Sequence, residues 1–133
     1  MGQIEPKPCP FCEPLPLRVL DGNEAVLVIH DAYPVSPRHT LVIPKRHFQS
    51  HFELNSAEIV AINALPKTAM AVLDKELNPA SYNIGINDGL TAGQTIAHVY
   101  MHLIPRSTGD SDDPRGRVRW LIPSKADYWS PGP

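Results

Sequence analysis

The segment His98-Val99-Tyr100-Met101-His102 places two imidazoles and a phenol at every second position. Alternate residues of a β-strand point to one face. On a strand, these three rings share a face, and Val99, Met101 and Leu103 take the other. Imidazoles carry charge and exchange protons near neutral pH, which suits catalysis or phosphate contact. A tyrosine holds the middle position, where a nucleophile could sit. Just upstream runs the small-residue loop Gly93-Gln94-Thr95-Ile96-Ala97. Such a loop lets backbone N–H groups approach an anion, while Thr95 adds a hydroxyl and Asn87 an amide. The set points to a phosphate group. Two half-buried histidines beside an ordinary glycine turn would give the same pattern without a ligand.

A second set is Cys9-Pro10-Phe11-Cys12. Two cysteines at this spacing serve as a redox pair, a disulfide or half of a zinc knuckle. The redox form belongs to a βαβ context, which this chain does not show. A disulfide here closes a loop too short to staple a domain. Zinc needs two more ligands. A third set lies in the tail, where Arg115, Arg117 and Arg119 alternate beside Trp120, following Asp110, Asp112 and Asp113. Arginines beside an indole bind phosphates or stack on a base. They better suit an arm that packs on a dimer partner with its arginines paired to the local aspartates.

The elements that must carry these residues follow from pattern. Leu17 to Leu20 reads as a strand and Asp21-Gly22-Asn23 as a turn. Ala25 to His30 and Thr40 to Pro44 are apolar strands, separated by a proline-containing loop. Asn55 with Glu58 fits a capping box at the start of a long helix. Ile59, Ile62, Met70 and Leu73 recur at helical spacing. Pro66 should kink or split that helix, at a cost of about 3 kcal/mol. Asn78-Pro79 ends it. Ser81 to Asn87 and His98 to Pro105 complete five strands. The order is not an alternating βαβ series, so an α+β fold with an antiparallel sheet is expected.

The chain has 133 residues, enough for one core, with 12 basic and 14 acidic side chains and a net charge of −2. That balance gives no support for binding nucleic acid. No uninterrupted apolar run approaches the roughly 20 residues that span a bilayer, so no membrane partner is expected. The N-terminal residues lack the apolar core of a secretory signal, so a cytoplasmic location is expected. Fifteen prolines gather largely toward the two ends, which predicts irregular termini around a compact middle.

The run from Gly93-Gln94-Thr95 through His98-Val99-Tyr100-Met101-His102-Leu103-Ile104-Pro105-Arg106 resembles the histidine triad (HIT) superfamily. That family's signature alternates three histidines with apolar residues after Gly-Gln-Ser/Thr. Pro34 to His47 and Asn87-Asp88-Gly89 resemble it as well. The resemblance covers roughly residues 9 to 106. It implies a HIT-like α+β fold: a five-stranded antiparallel sheet, one long helix, short helical segments and an extended C-terminal arm. The HIT domain would span 1–106, with the Cys-x-x-Cys as an N-terminal zinc knuckle, and the arm 107–133. A homodimer and a nucleotide ligand are implied.

By the same resemblance, Asp31 matches a ribose-contacting acid and His39 a motif histidine beside the catalytic strand. Asn87, Gln94 and Thr95 match phosphate-contacting positions, and His102 the third triad histidine, which contacts phosphate. A structural zinc would be held by Cys9, Cys12, His47 and His98, because related proteins pair the knuckle with these two motif positions. His51 is a further imidazole near His47.

The family's activity is nucleotidyl hydrolysis or transfer at the α-phosphate of adenylyl or dinucleoside-polyphosphate substrates. The attack comes from the middle histidine of the triad. Tyr100 stands there in this chain. A phenol, with its ordinary pKa of about 10, is mostly protonated at neutral pH, whereas imidazole is partly free to attack. Reduced or altered catalysis is expected, with Tyr100 and His102 as the catalytic candidates. A nucleotide-binding module without turnover is the alternative.

Overall fold

The two apolar runs become the centre of the sheet. A computed structural model describes residues 9–130, the side chain of Leu73 excepted. Residues 1–8 of the irregular segment expected over 1–16, the last three residues of the arm and any contribution of Leu73 to the helix stripe lie outside the described residues. Five strands form: β1 (Val19–Gly22), β2 (Val26–His30), β3 (Thr40–Pro44), β4 (Ser81–Gly85) and β5 (Met101–Arg106). They pair antiparallel in the order β1-β2-β3-β5-β4. The α+β fold expected from the sequence is the fold observed.

Every residue of β3 is buried. The strand is covered on both sides, which is why its sequence is a continuous apolar run rather than an alternation. One face packs Val26, Val28, Val42 and Met101 against the long helix α1 (Ser56–Leu77). The other packs Ile29, Leu41 and Ile43 with Phe11 and Tyr100. Register puts His102 of β5 opposite Leu41 and Gly85, on this second face.

Several local expectations are corrected. The 17–20 strand begins later, because Pro16–Arg18 forms a 3₁₀ turn first. The turn after it is shifted to Asn23, whose side-chain oxygen accepts from the backbone N–H groups of Ala25 and Val26. The strand expected from Ser81 to Asn87 ends at Gly85. The strand expected from His98 begins at Met101. His98 and Tyr100 therefore precede β5. The Val99 N–H donates to the Phe48 carbonyl at 2.8 Å, which pulls this backbone away from the sheet.

Helix α1 is capped as its sequence suggests: Asn55 accepts from the Glu58 N–H, and Glu58 accepts from the Asn55 N–H. Pro66 does not split it, and α1 runs unbroken through 22 residues. The missing proline N–H removes one helical hydrogen bond, and burial of the ring against the core offsets that loss. The buried stripe is also rotated from the expected one. Ile62 and Ala69 face the sheet, whereas Ile59 is half exposed. By length and composition α1 could cross a bilayer. Here its apolar stripe packs on the sheet instead. Glu58 pairs with Arg46, and Glu76 pairs with Arg38.

The arm is not simply extended. After β5 it makes 3₁₀ turns at Arg117–Leu121 and Pro123–Lys125 and folds back on its own chain.

The rotated stripe makes a prediction. Ile62→Ala should lower unfolding free energy by about 2–4 kcal/mol through a cavity, and Ile59→Ala by less than about 1 kcal/mol. Denaturant titration of both variants checks the difference.

Candidate functional site

Two clusters of polar side chains sit on the face opposite α1. The first is built on the ends of β2, β3 and β5. Asp31 follows β2, His39 precedes β3 and His102 lies in β5. Arg38 adopts a left-handed φ of 66° just before His39. This reversal turns the His39 ring inward, where it is 3% exposed. Ser36 ties the same loop to β5 by donating to the Pro105 carbonyl at 2.9 Å.

The hydrogen-bond direction through this cluster is fixed by one backbone group. The Val35 N–H donates to His39 Nδ1 at 3.2 Å. In the neutral ring that leaves the proton on Nε2. This nitrogen lies 3.2 Å from an Asp31 oxygen and 2.9 Å from His102 Nδ1. His102 Nδ1 is therefore the acceptor, and its own proton sits on Nε2. The second Asp31 oxygen accepts from the Tyr33 N–H at 2.8 Å. Burial pushes the His39 pKa down, partly opposed by Asp31. Burial, aided by the charge of His39, also lowers that of His102. The pair is neutral at pH 7, and His102 offers an N–H donor.

His39, His102 and Asn87 line a cleft of about 860 Å³. Its other walls are largely aliphatic, with Ile84, Ile86 and Ile104 among them. A cleft of this size, apolar with a few convergent polar groups, suits a small organic ligand. The expected phosphate-contacting residues divide. Asn87 is on the cleft wall. Thr95 is exposed on the loop that follows. Gln94 is 1% exposed, and its amide is wholly used within the protein. It donates to the Gln49 and Ile96 carbonyls and accepts from the Gly89 N–H. Gln94 thus braces the glycine loop. Asp31 orients His39 and is not among the residues that line the cleft.

The second cluster joins the N-terminal knuckle to two loops. Donor atoms of Cys9, Cys12, His47 and His98 all lie within 4.8 Å of one another. Cys9 Sγ is 3.5 Å and Cys12 Sγ 3.7 Å from His98 Nδ1. His47 Nδ1 is 3.2 Å from both Cys12 Sγ and His98 Nδ1. A tetrahedral metal with zinc-like bond lengths separates S and N by about 3.5 Å and two N atoms by about 3.4 Å. The donors fit that spacing. His98 Nε2 donates to the Pro44 carbonyl at 2.7 Å, leaving the Nδ1 lone pair facing the thiols. His51 lies outside this cluster.

Tyr100 lies between the two clusters and is 8% exposed. Phe11, from the knuckle, meets the Tyr100 ring edge-on at 5.0 Å and the His98 ring at 5.9 Å. Tyr100 in turn meets His102 at 5.3 Å. All the sequence-predicted metal ligands come together. The C-terminal arm supplies Arg117, one of the tail arginines marked in the sequence, to the cleft wall, together with Val118 and Leu121, which the sequence did not mark. Nothing in the local pattern signals that long-range packing.

This sheet, with a histidine pair at the end of β5 and a glycine loop before it, defines a class of domain. A family model described as the HIT domain matches residues 15–109. The chain belongs to the HIT family. It is 37% identical over 108 residues to an uncharacterized HIT-like protein of Methanocaldococcus jannaschii, covering 78% of this chain and 83% of that one. It is 38% identical over 77 residues to an asymmetrical bis(5'-nucleosyl)-tetraphosphatase of Schizosaccharomyces pombe, covering 58% of this chain and 42% of that one. Among solved structures, a Zn-bound histidine triad family protein from Mycobacterium smegmatis matches with a TM-score of 0.70 and 31% identity, over 80% of this chain and 81% of that one. Across these two curated relatives the chain spans between 42% and 83% of their lengths.

The lowered imidazole pKa values make stability depend on pH. An unfolded histidine takes its proton near 6.5, while the folded His39 and His102 resist it. The unfolded state then binds more protons below 6.5, so stability falls as pH drops from 6.5 toward the folded values and is fully present above 6.5. His102→Gln should flatten this slope. Parallel unfolding titrations between pH 5 and 7.5 would show it, and an unchanged slope would contradict the lowered pKa of His102.

Proposed function

We propose that this protein binds a nucleotide through its α-phosphate and turns it over slowly or not at all. One observation carries this: the cleft presents His102 Nε2 as an N–H donor, held so by Val35 through His39. A donor there stabilises a phosphate oxygen or protonates a leaving group. It does not attack phosphorus. The role of attacking group in family members falls to the middle triad position, which Tyr100 occupies. Its phenol lies under Phe11 beside Ile29, Leu41 and Ile43. Among the described residues its hydroxyl makes no hydrogen bond to a carboxylate or imidazole that would take its proton.

The residues then take separate roles. His102 and Asn87 contact phosphate, and Thr95 contributes a hydroxyl from the adjoining loop. Gln94 holds that loop in shape. Asp31 and His39 orient His102. Cys9, Cys12, His47 and His98 hold a structural zinc. With four protein donors the metal is closed to water and takes no part in the reaction. The tetraphosphatase among the relatives favours a nucleoside or dinucleoside polyphosphate as ligand. The reading includes a homodimer, with the open edge of β4 as its candidate seam.

The test compares the wild-type protein with Tyr100→His on an adenosine phosphoramidate and a diadenosine polyphosphate. Both proteins should bind adenosine monophosphate. The variant should turn over faster by at least about a hundredfold, as expected when a nucleophile is restored. Wild-type turnover equal to the variant's would defeat the proposal.

A further inference from the structure

The arm that follows β5 folds back over the face carrying His102, and its arginines differ sharply in what they touch. Arg106 grips both oxygens of Asp110 at 2.8 and 2.7 Å and reaches Asn83 at 2.6 Å. Arg115 pairs with Asp113 at 2.9 Å and lies over the Trp129 ring. Arg119 donates to the carbonyls of Lys125 and Ala126 and lies over Tyr128. Gly116, with φ 72°, makes the turn that allows this packing, since a Cβ there would meet the Trp129 ring at 2.7 Å. The arm is a small self-braced unit: Arg106 of β5 anchors its start, and two of its own guanidiniums, Arg115 and Arg119, are spent on bracing.

Arg117 is the exception. Among the described residues its hydrogen-bond partner is the Ser111 hydroxyl, at a long 3.4 Å. Its field reaches Asp110 and Asp113, but each of those carboxylates is already held by its own arginine. Arg117 lines the cleft together with His39, His102 and Asn87. Val118 and Leu121, largely exposed, line the same cleft, as does Ile84. A guanidinium on a cleft wall with no close carboxylate of its own is matched to an anion, and its fork geometry suits a phosphate. An exposed aliphatic surface next to it suits the flat face of a base.

We infer that Arg117 binds the phosphates beyond the one held at His102, making the arm the leaving-group subsite for a dinucleoside polyphosphate. This rests on the nucleotide reading above and deepens it. The first nucleotide's phosphate meets His102 and Asn87. The distal phosphates pair with Arg117, and the second base lies against Ile84, Val118 and Leu121. Specificity for chain length then resides in the arm rather than in the sheet.

Calorimetric titration of the full chain with adenosine monophosphate and with a methylene-bridged diadenosine tetraphosphate tests this. Wild type should bind the tetraphosphate analogue more tightly. Arg117→Ala should weaken that binding about tenfold, the scale of one charge-assisted contact, while monophosphate binding falls far less. Arg117→Lys should recover part of the loss. Arg115→Ala, on the same arm but away from the cleft, serves as the control for arm integrity. Equal losses for both ligands, no loss for either, or a matching loss in Arg115→Ala would each overturn the role given to Arg117. Failure of wild type to bind even the monophosphate would instead remove the nucleotide reading itself.

Discussion

The hydrogen bond from His98 Nε2 to the Pro44 carbonyl governs more of this molecule than any other contact. It lies in the dry interior, with His98 fully buried. It holds the ring in one tautomer and aims Nδ1 at Cys9, Cys12 and His47. The neighbouring Val99 N–H donates to the Phe48 carbonyl, which holds this stretch out of the sheet, so that β5 starts at Met101. The knuckle drawn to His98 brings Phe11 across the face of the sheet. Phe11 then packs on Tyr100, and Tyr100 on His102. Residues 9–15, which form no helix or strand, thus meet the core through side chains rather than through a ladder.

The phosphate end of the cleft is organised by a similar economy of protons. One backbone N–H, from Val35, decides where the His39 proton sits. That decides which nitrogen of His102 accepts and which donates. Charging His102 would place two protons between the rings or break the Val35 bond, so the fold itself resists the imidazolium. The site is thus polar and donor-rich without a strong fixed charge at the histidine pair. Such a site suits phosphate oxygen as an acceptor. Formal positive charge enters the cleft from Arg106 and Arg117, and Arg106 is already neutralised by Asp110. In the proposed function the first phosphate is recognised on the sheet and further charge on the arm.

Much of this was legible in the sequence, for identifiable reasons. Thr40–Pro44 and the Asn55–Glu58 cap appear where the pattern puts them, because a doubly buried strand and a reciprocal cap are encoded by adjacent residues. The Cys9, Cys12, His47 and His98 set was legible through family likeness, and the fold brings all four together. What failed depended on distant partners. His98 and Tyr100 alternate like strand residues, but the Phe48 carbonyl and the knuckle compete for that backbone and win. Ile59 fits a helical stripe, but the sheet lies on the side of Ile62 and Ala69. For Gln94 the fold adds a bracing role that its residue type did not reveal, its amide bonding three backbone groups across a loop. The arm's return to the cleft joins residues 117–121 to residues 83–87, and no local signal marks such a contact.

The account makes the His98 cluster the organiser of everything on that face, and direct metal analysis tests it. Wild-type protein purified without added metal and dialysed should retain about one zinc per chain. Cys12→Ser should retain almost none and lose the ring-ring contact that holds Tyr100 in place. A folded wild-type chain free of metal, or a Cys12→Ser variant with the same zinc content, would contradict the account.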